Sequence, residues 1–476
     1  MSQGRGQGEG GRGTVGLVEA ASKGFQPMET ASAAASRSII CSAVPGSLQI
    51  VAAKACDHAA IEQFLCARLR QVSSREFCHQ LEEPWYVPGD RLLLKKHKQI
   101  IGHIGLHWRT MFFGRSQWTI CRVGRLSLLP EFYSYGLAEE LLRSAEQVMS
   151  QQHALFGVGD LEDLETFSDG LWMPCGEHVM SEADPRDILA EFRVRDESVQ
   201  HRALLPDVRQ RHEEISVRHW RQVELPALMR IYQSNAQSGF GYLERSEAYW
   251  RWLVNRHAFD QIMVVIEGHD RLGQEGRDYC IVGYAVVHAH QILEMLVQPG
   301  HPTASRRLVS RICSDAIERD WNSVSLHASF DEPIHAIITA ANGPSPSNRA
   351  LVRKRVMVCV PRHDVLVHYL GPELCQRAAA AEIAMPIEIG LAIDDCHYQL
   401  SLYGRRAKLT SGKIGENYLM CSRKTWVRLL LGSVDASSAL LAEKLTASTS
   451  SARRYAEVLF PAVPLWHSPW ADLPIG

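Results

Sequence analysis

The 476-residue chain carries 51 basic and 53 acidic side chains, a net charge of −2, with 46% hydrophobic and 22% charged residues. That length suggests roughly three domains and a core large enough to need no metal or disulfide staple. Near-zero net charge supplies no field for nucleic acid or for an anionic membrane surface, so neither partner is expected. The uncharged run 38–53 is 16 residues long and broken by Pro45 and Gly46, so no membrane span is expected. No basic stretch followed by an apolar one opens the chain, which argues against a secretory signal. Its 12 cysteines lack the CxxC or Cys/His spacing of a zinc site and read as reduced, buried thiols of a cytoplasmic protein.

Residues 1–47 begin with six glycines in the first 13 positions and continue Ala/Ser-rich, so a disordered tail is expected. A first folded unit, 48–180, opens with the strand Leu48-Gln49-Ile50-Val51 and a helix carrying Ile61, Leu65 and Leu69. Arg91 to Leu94, a turn at His97-Lys98-Gln99, and Ile100 to Ile104 read as a β-hairpin. A strand over 119–129 then runs into Pro130. A helix follows, with Leu137, Leu141, Leu142, Ala145, Val148 and Met149 on one stripe.

The charged segment 181–213 reads as a connector. The unit 214–342 repeats the same order: strand 215–217, a helix through Leu225, Leu228, Ile231 and Tyr232, a hairpin of 262–266 with 279–288, strand 291–297, and a helix through Leu308, Ile312 and Ala316. Such repetition predicts tandem related domains rather than one large sheet. A Gly/Pro/Ser linker, 343–355, leads to an α+β unit over 356–476, whose alternating Ile387/Ile389/Leu391/Ile393 and Tyr398/Leu400/Leu402 predict a half-buried sheet. The fold class expected is therefore α/β with mixed α+β sheets.

Chemistry concentrates where the strand ending in Leu126-Ser127-Leu128 turns through Pro130-Glu131-Phe132-Tyr133-Ser134-Tyr135-Gly136 into Leu137-Ala138. A strand that enters a helix through a glycine-containing turn aims backbone N–H groups at one point, at the positive end of a helix dipole. That geometry suits a pyrophosphate, and small residues at Gly136 and Ala138 allow close approach. Proline stops further sheet pairing and leaves the strand edge free for an amide-bearing ligand.

This segment resembles motif A of the GNAT acetyltransferases, Pro-x-x-Arg/Gln-x-x-Gly-x-Gly/Ala, and "IIGHIGL" resembles the strand preceding it. The stretches "VELPALMRIYQSNAQSGFGYLERSEAYWRWLV", "CIVGYAVV" and "YLMCSRKTWVRLLLG", in this order, make the layout similar to Eis-type N-acetyltransferases. The resemblance implies two tandem GNAT-like domains, the second degenerate, followed by a sterol-carrier-like α+β domain. It implies acetyl-CoA as co-substrate in the first unit, with no metal, a small-molecule or peptide amine as acceptor, and a homo-oligomer. Leu126, Ser127 and Leu128 would pair with the pantetheine, and Tyr133, Ser134, Tyr135, Gly136, Leu137 and Ala138 would hold the pyrophosphate. Tyr133 stands where the motif has Arg or Gln. Phe167 stands where the family has its general-acid tyrosine, so Ser168 or Tyr135 is the candidate hydroxyl. The family's base is a C-terminal carboxylate, which here falls to Gly476.

Other residues read more plainly. His103 and His107 share a strand face across Gly105, and a pair without a third ligand reads as strand packing rather than a metal site. Tyr242, Tyr249, Trp250 and Trp252 read as helix packing, and Glu294 as a satisfied or solvent-facing carboxylate. The activity expected is acetyl transfer to a primary amine. Its alternatives are an inactive acyl-CoA-binding scaffold, motivated by Phe167, or a lipid carrier built on the last unit.

Overall fold

The computed structural model describes residues 48–69, 72–159, 171–202, 215–268, 279–342, 351–466 and 468–472. The first repeat comprises β1 (Leu48–Ala52), α1 (His58–Arg68), α2 (Ser74–Leu81), β2 (Arg91–Lys96), β3 (Gln99–Phe113), β4 (Ser116–Leu128), α3 (Leu137–Gln151), β5 (Phe156–Gly159) and β6 (Trp172–Ala183). After α4 (Pro185–Arg202) the order recurs. It runs through β7 (Ile215–His219), α5 (Leu225–Ala236), β8 (Phe240–Leu243), α6 (Glu247–Asn255), β9 (Gln261–Gly268), β10 (Tyr279–His288), β11 (Gln291–Val297), α7 (Pro302–Glu318), β12 (Val324–Ala328), α8 (Pro333–Ala341) and β13 (Leu351–Cys359).

These strands form one sheet of 13 strands in the order β1-β2-β3-β4-β5-β13-β6-β12-β11-β10-β9-β7, with β8 on β3. Each repeat has one parallel pair, β4 with β5 and β11 with β12. The closing strands are exchanged. β13 of the second repeat pairs with β5 of the first, and β6 of the first pairs with β12 of the second. β6 and β13 also pair with each other, which fuses the two repeats. The expected separate sheets are thus corrected to a single one, because side-chain period marks a strand but not its partner.

Two boundaries shift with it. Residues 181–213, expected as a connector, start as the end of β6 and continue as α4, whose Ile188 and Phe192 are buried against α7. The expected linker 343–355 gives way at Leu351 to β13, so Val356 to Cys359 belong to the large sheet rather than the last unit.

The last unit holds α9 (His363–Ala380), β14 (Ile387–Ile393), β15 (Cys396–Tyr403), β16 (Arg406–Ser411), β17 (Tyr418–Cys421), α10 (Arg423–Leu430), α11 (Ala436–Leu441), β18 (Leu445–Ala447) and α12 (Ser450–Leu459). Its sheet runs β16-β15-β14-β17-β18. The alternation predicted for β14 is seen, with Ile387, Ile389, Leu391 and Ile393 buried and Glu388 exposed. Its core is continuous with Phe113, Trp118 and Phe156 of the large sheet. The chain then returns to the second repeat: Trp466 donates its N–H to Phe240 at 2.9 Å, and Trp470 packs edge-on to Trp250 and Phe259.

The apolar stripe of α3 packs where expected, with Leu137, Leu141, Leu142, Ala145 and Met149 all buried. Gly102 makes this possible, since a Cβ there would lie 2.7 Å from Leu128 Cδ2 and 2.9 Å from Leu141 Cδ1. Gly102→Val is expected to destabilise the fold by about 1–3 kcal/mol through overpacking. Thermal unfolding would measure it, and an unchanged midpoint would refute the contact. The cysteines divide: Cys121, Cys175, Cys313, Cys359, Cys375 and Cys421 are buried, whereas Cys56, Cys78, Cys280 and Cys396 are exposed. The reading of uniformly buried thiols is corrected accordingly. No helix among the described residues is long and apolar enough to cross a membrane.

Candidate active site

The strand edge and the helix head predicted to hold a cofactor lie next to one another. Ile120, Cys121 and Arg122 of β4 pair with Phe156, Gly157 and Val158 of β5, and the ladder stops there. Beyond it, residues 123–128 keep only β3 as a partner among the described strands, so the far edge of Leu126-Ser127-Leu128 is open. A bulge opposite His103 and Gly105 sets Arg125 at φ +56° and re-aims the strand at this point.

After Leu128, residues Pro130–Tyr135 form a 3₁₀ turn that ends at Gly136. Gly136 adopts φ +66° and is the N-cap of α3, with no side chain capping the helix. The first-turn N–H groups of α3 therefore have no intrahelical acceptor, and none from a side chain among the described residues, the arrangement that binds anions. Leu137 and Ala138 contribute only backbone, since their side chains are buried in the core. Tyr133 and Tyr135 are 60% and 63% exposed, and the Tyr135 ring lies 6.2 Å from that of Phe132. Ser134 is exposed on the same turn. Tyr135 thus sits at the helix head rather than on the strand edge, while Phe167, Ser168 and Gly476 lie outside the described residues.

Charge at the helix head is acidic. Glu131 opens the turn, and Glu139 and Glu140 lie in the first turn of α3, Glu140 with Arg143 at 2.8 Å. A Cβ on Gly136 would lie 3.8 Å from Glu139 Oε2, so this carboxylate borders the space an anion would occupy. Glu139→Gln is expected to tighten the binding of any phosphate-bearing ligand at this helix head by roughly three- to tenfold, from removal of about 1 kcal/mol of like-charge repulsion. Calorimetry would measure this, and unchanged affinity would separate Glu139 from the ligand.

Behind the bulge lies a polar network that sequence reading did not find. The buried His103 hydrogen-bonds through Nδ1 to the Arg125 carbonyl at 3.0 Å and through Nε2 to Arg91 at 3.3 Å. Burial, with Arg91 beside it, lowers the His103 pKa to about 3, so the neutral ring donates from Nδ1 and accepts at Nε2. Both nitrogens are engaged, which gives His103 a structural role. Burial likewise drives His107 well below its ordinary range.

Glu76 of α2 is ion-paired with Arg125 at 3.3 Å and with Arg256 at 3.3 Å, while Gln80 hydrogen-bonds Arg91 and Arg125. The Arg256 guanidinium follows α6, so this cluster ties the first repeat to the second. Its contacts span 49 and 180 residues of chain, and no local pattern could have announced them. Among the described residues no group of three or more His, Cys, Asp or Glu is placed to hold a metal ion.

In the second repeat, Glu294 is fully buried and bound by Arg245 through two hydrogen bonds of 2.9 and 2.7 Å. Tyr284 donates to the same carboxylate at 2.6 Å. The expectation of a satisfied carboxylate holds. Tyr249 and Trp250 are buried on α6 as expected, whereas Tyr242 belongs to β8.

No family model and no curated protein sequence matches the chain. Solved structures do. A GCN5-related N-acetyltransferase from Anabaena variabilis, 15% identical, superposes with a TM-score of 0.63 over 88% of this chain and 99% of its own. One from Kribbella flavida, 12% identical, gives 0.62 with the same coverage. Eis1 from Mycobacterium abscessus, 13% identical, gives 0.51 over 82% of this chain and 94% of its own. The open β4 edge, the uncapped head of α3 and a likeness extending over nearly the whole length converge: this chain has the fold of the GCN5-related N-acetyltransferases.

Proposed function

We propose that the protein is an acetyl-CoA-dependent N-acetyltransferase acting on a primary amine. The observation that carries this reading is the divergence of β4 from β5 directly beside the uncapped N-terminus of α3. In this reading the Leu126–Leu128 edge offers strand-like hydrogen bonds to the pantetheine amides. The N–H groups at Gly136, Leu137 and Ala138 receive the pyrophosphate, with Tyr133 and Ser134 at the rim. The exposed Tyr135 hydroxyl is a proton donor at the helix head, and Ser168 is the second candidate.

Acyl transfer requires the acceptor amine to lose a proton and the departing thiolate to gain one. Backbone N–H groups at the β4 bulge would polarise the thioester carbonyl. The domain reading accompanies this proposal: a first GNAT-like unit that binds cofactor, a second degenerate one, and a sterol-carrier-like last unit. The same proposal places the enzyme in the cytoplasm as a homo-oligomer.

A second reading, an acyl-CoA-binding scaffold, is favoured by the acidic side chains Glu131 and Glu139 at the phosphate position and by Phe167. Calorimetric titration of acetyl-CoA, with desulfo-CoA as unreactive comparison, tests binding. Amine-dependent thiol release then separates the two readings. Saturable binding with release supports the enzyme, binding without release supports the scaffold, and absence of binding overturns both.

A further inference from the structure

A cavity of about 960 Å3 lies between β6, α8 and the last unit, away from the β4 edge and the head of α3. Its walls are aliphatic where Pro174 and Val179 of β6 face Val434, Val463 and Leu465. Lys424, Arg428 and His335 line it as well and supply hydrogen-bond donors. His335 is only 5% exposed. Its Nδ1 is taken by Ser181 Oγ at 2.8 Å, and its Nε2 has no hydrogen-bond partner among the described residues.

Arg428 Nε is likewise buried without a partner. Among the described lining residues the one acid, Asp435, is already engaged: Oδ1 accepts from the Ser438 N–H at 2.7 Å as the cap of α11. A buried guanidinium N–H without an acceptor is a donor that a ligand oxygen would satisfy. Donors of a guanidinium and an ammonium beside aliphatic walls select an anionic head on an apolar body.

We propose that this cavity is a second ligand site, for an aliphatic carboxylate, whose head group meets Arg428, Lys424 and His335 and whose chain lies on Pro174, Val179 and Val463. The guanidinium fork matches the two oxygens of a carboxylate. Because the lining residues come from β6, α8 and the last unit, such a ligand bridges these parts of the fold. Binding therefore raises resistance to unfolding by mass action.

The test uses the full chain with octanoate, octanol and octylamine, followed by calorimetry and thermal unfolding. Saturable octanoate binding is expected, with a raised melting midpoint, octanol at least tenfold weaker and octylamine without effect. Arg428→Met and the exposed Lys424→Met should each weaken octanoate at least tenfold while leaving octanol unchanged. Thr339→Trp, an exposed position lining the cavity, should block both. Equal affinity for octanoate and octanol, octanoate affinity untouched by either cationic substitution, or absence of saturable binding would overturn the proposal. Competition with acetyl-CoA would also overturn it, because the two sites are built from different residues. Failure here would leave the acetyl-CoA reading intact, since that rests on the β4 edge and Gly136.

Discussion

Glu294→Ala is expected to destabilise the protein by about 3–5 kcal/mol, the cost of leaving a buried guanidinium without its counter-charge. Arg245 and Glu294 are only 3% and 0% exposed at their side chains. The Arg245 guanidinium lies over the rings of Tyr232 at 4.1 Å and Trp250 at 4.9 Å, which stabilise the cation but do not neutralise it. The carboxylate in turn raises the Arg245 pKa, against the opposing effect of burial. Tyr284 would lose its acceptor as well.

The double variant Arg245→Met/Glu294→Leu should recover most of the loss, because a buried ion pair is replaceable by apolar residues of similar volume. Urea unfolding followed by tryptophan fluorescence is the appropriate measurement, since Trp250 and Trp470 both flank Arg245. A loss under about 1 kcal/mol in the single variant would show that water reaches the site. The ion pair also bears on the returning chain end. Trp470 packs on this aromatic cluster, so its docking should loosen with the pair.

Under the proposed function, Gly136→Glu is expected to abolish acetyl-CoA binding, by at least a hundredfold, while the fold survives. A Cβ at this position meets nothing closer than Glu139 Oε2 at 3.8 Å, so the side chain has room. The left-handed φ of +66° costs a non-glycine residue about 1–2 kcal/mol, a small fraction of a large protein's stability. The new carboxylate, however, would stand at the uncapped first turn of α3 and take the N–H donors that the proposal assigns to the pyrophosphate. Gly136→Ala separates the two effects, since it keeps the backbone strain and omits the charge. Binding should fall far less in Gly136→Ala than in Gly136→Glu. Equal affinity in wild type and Gly136→Glu would remove this turn from the cofactor site, whatever else the protein does.

Local order was legible wherever burial and backbone period coincide. The β2–β3 hairpin closes at His97-Lys98, where His97 takes φ +55°, and the α3 stripe and the β14 alternation follow their patterns. Pro130 and Gly136 marked the turn because each restricts or frees the backbone in a way few residues do. The repetition of elements was legible for the same reason.

Which strands pair was not. The exchange of β6 and β13 joins segments far apart in the chain, and hydrophobic alternation is the same whichever neighbour a strand has. The helix α4 was hidden because charged residues outnumber the few, such as Ile188 and Phe192, that anchor it to α7. The Glu76–Arg125–Arg256 cluster and the cavity bounded by Pro174, His335 and Arg428 exist only once distant segments are packed together. The sequence by itself determined most of the elements, their recurring order and the strand–turn–helix with its proline and glycine. Tertiary structure alone decided strand partners, buried charges and enclosed space, because those depend on contacts between residues that no local spacing relates.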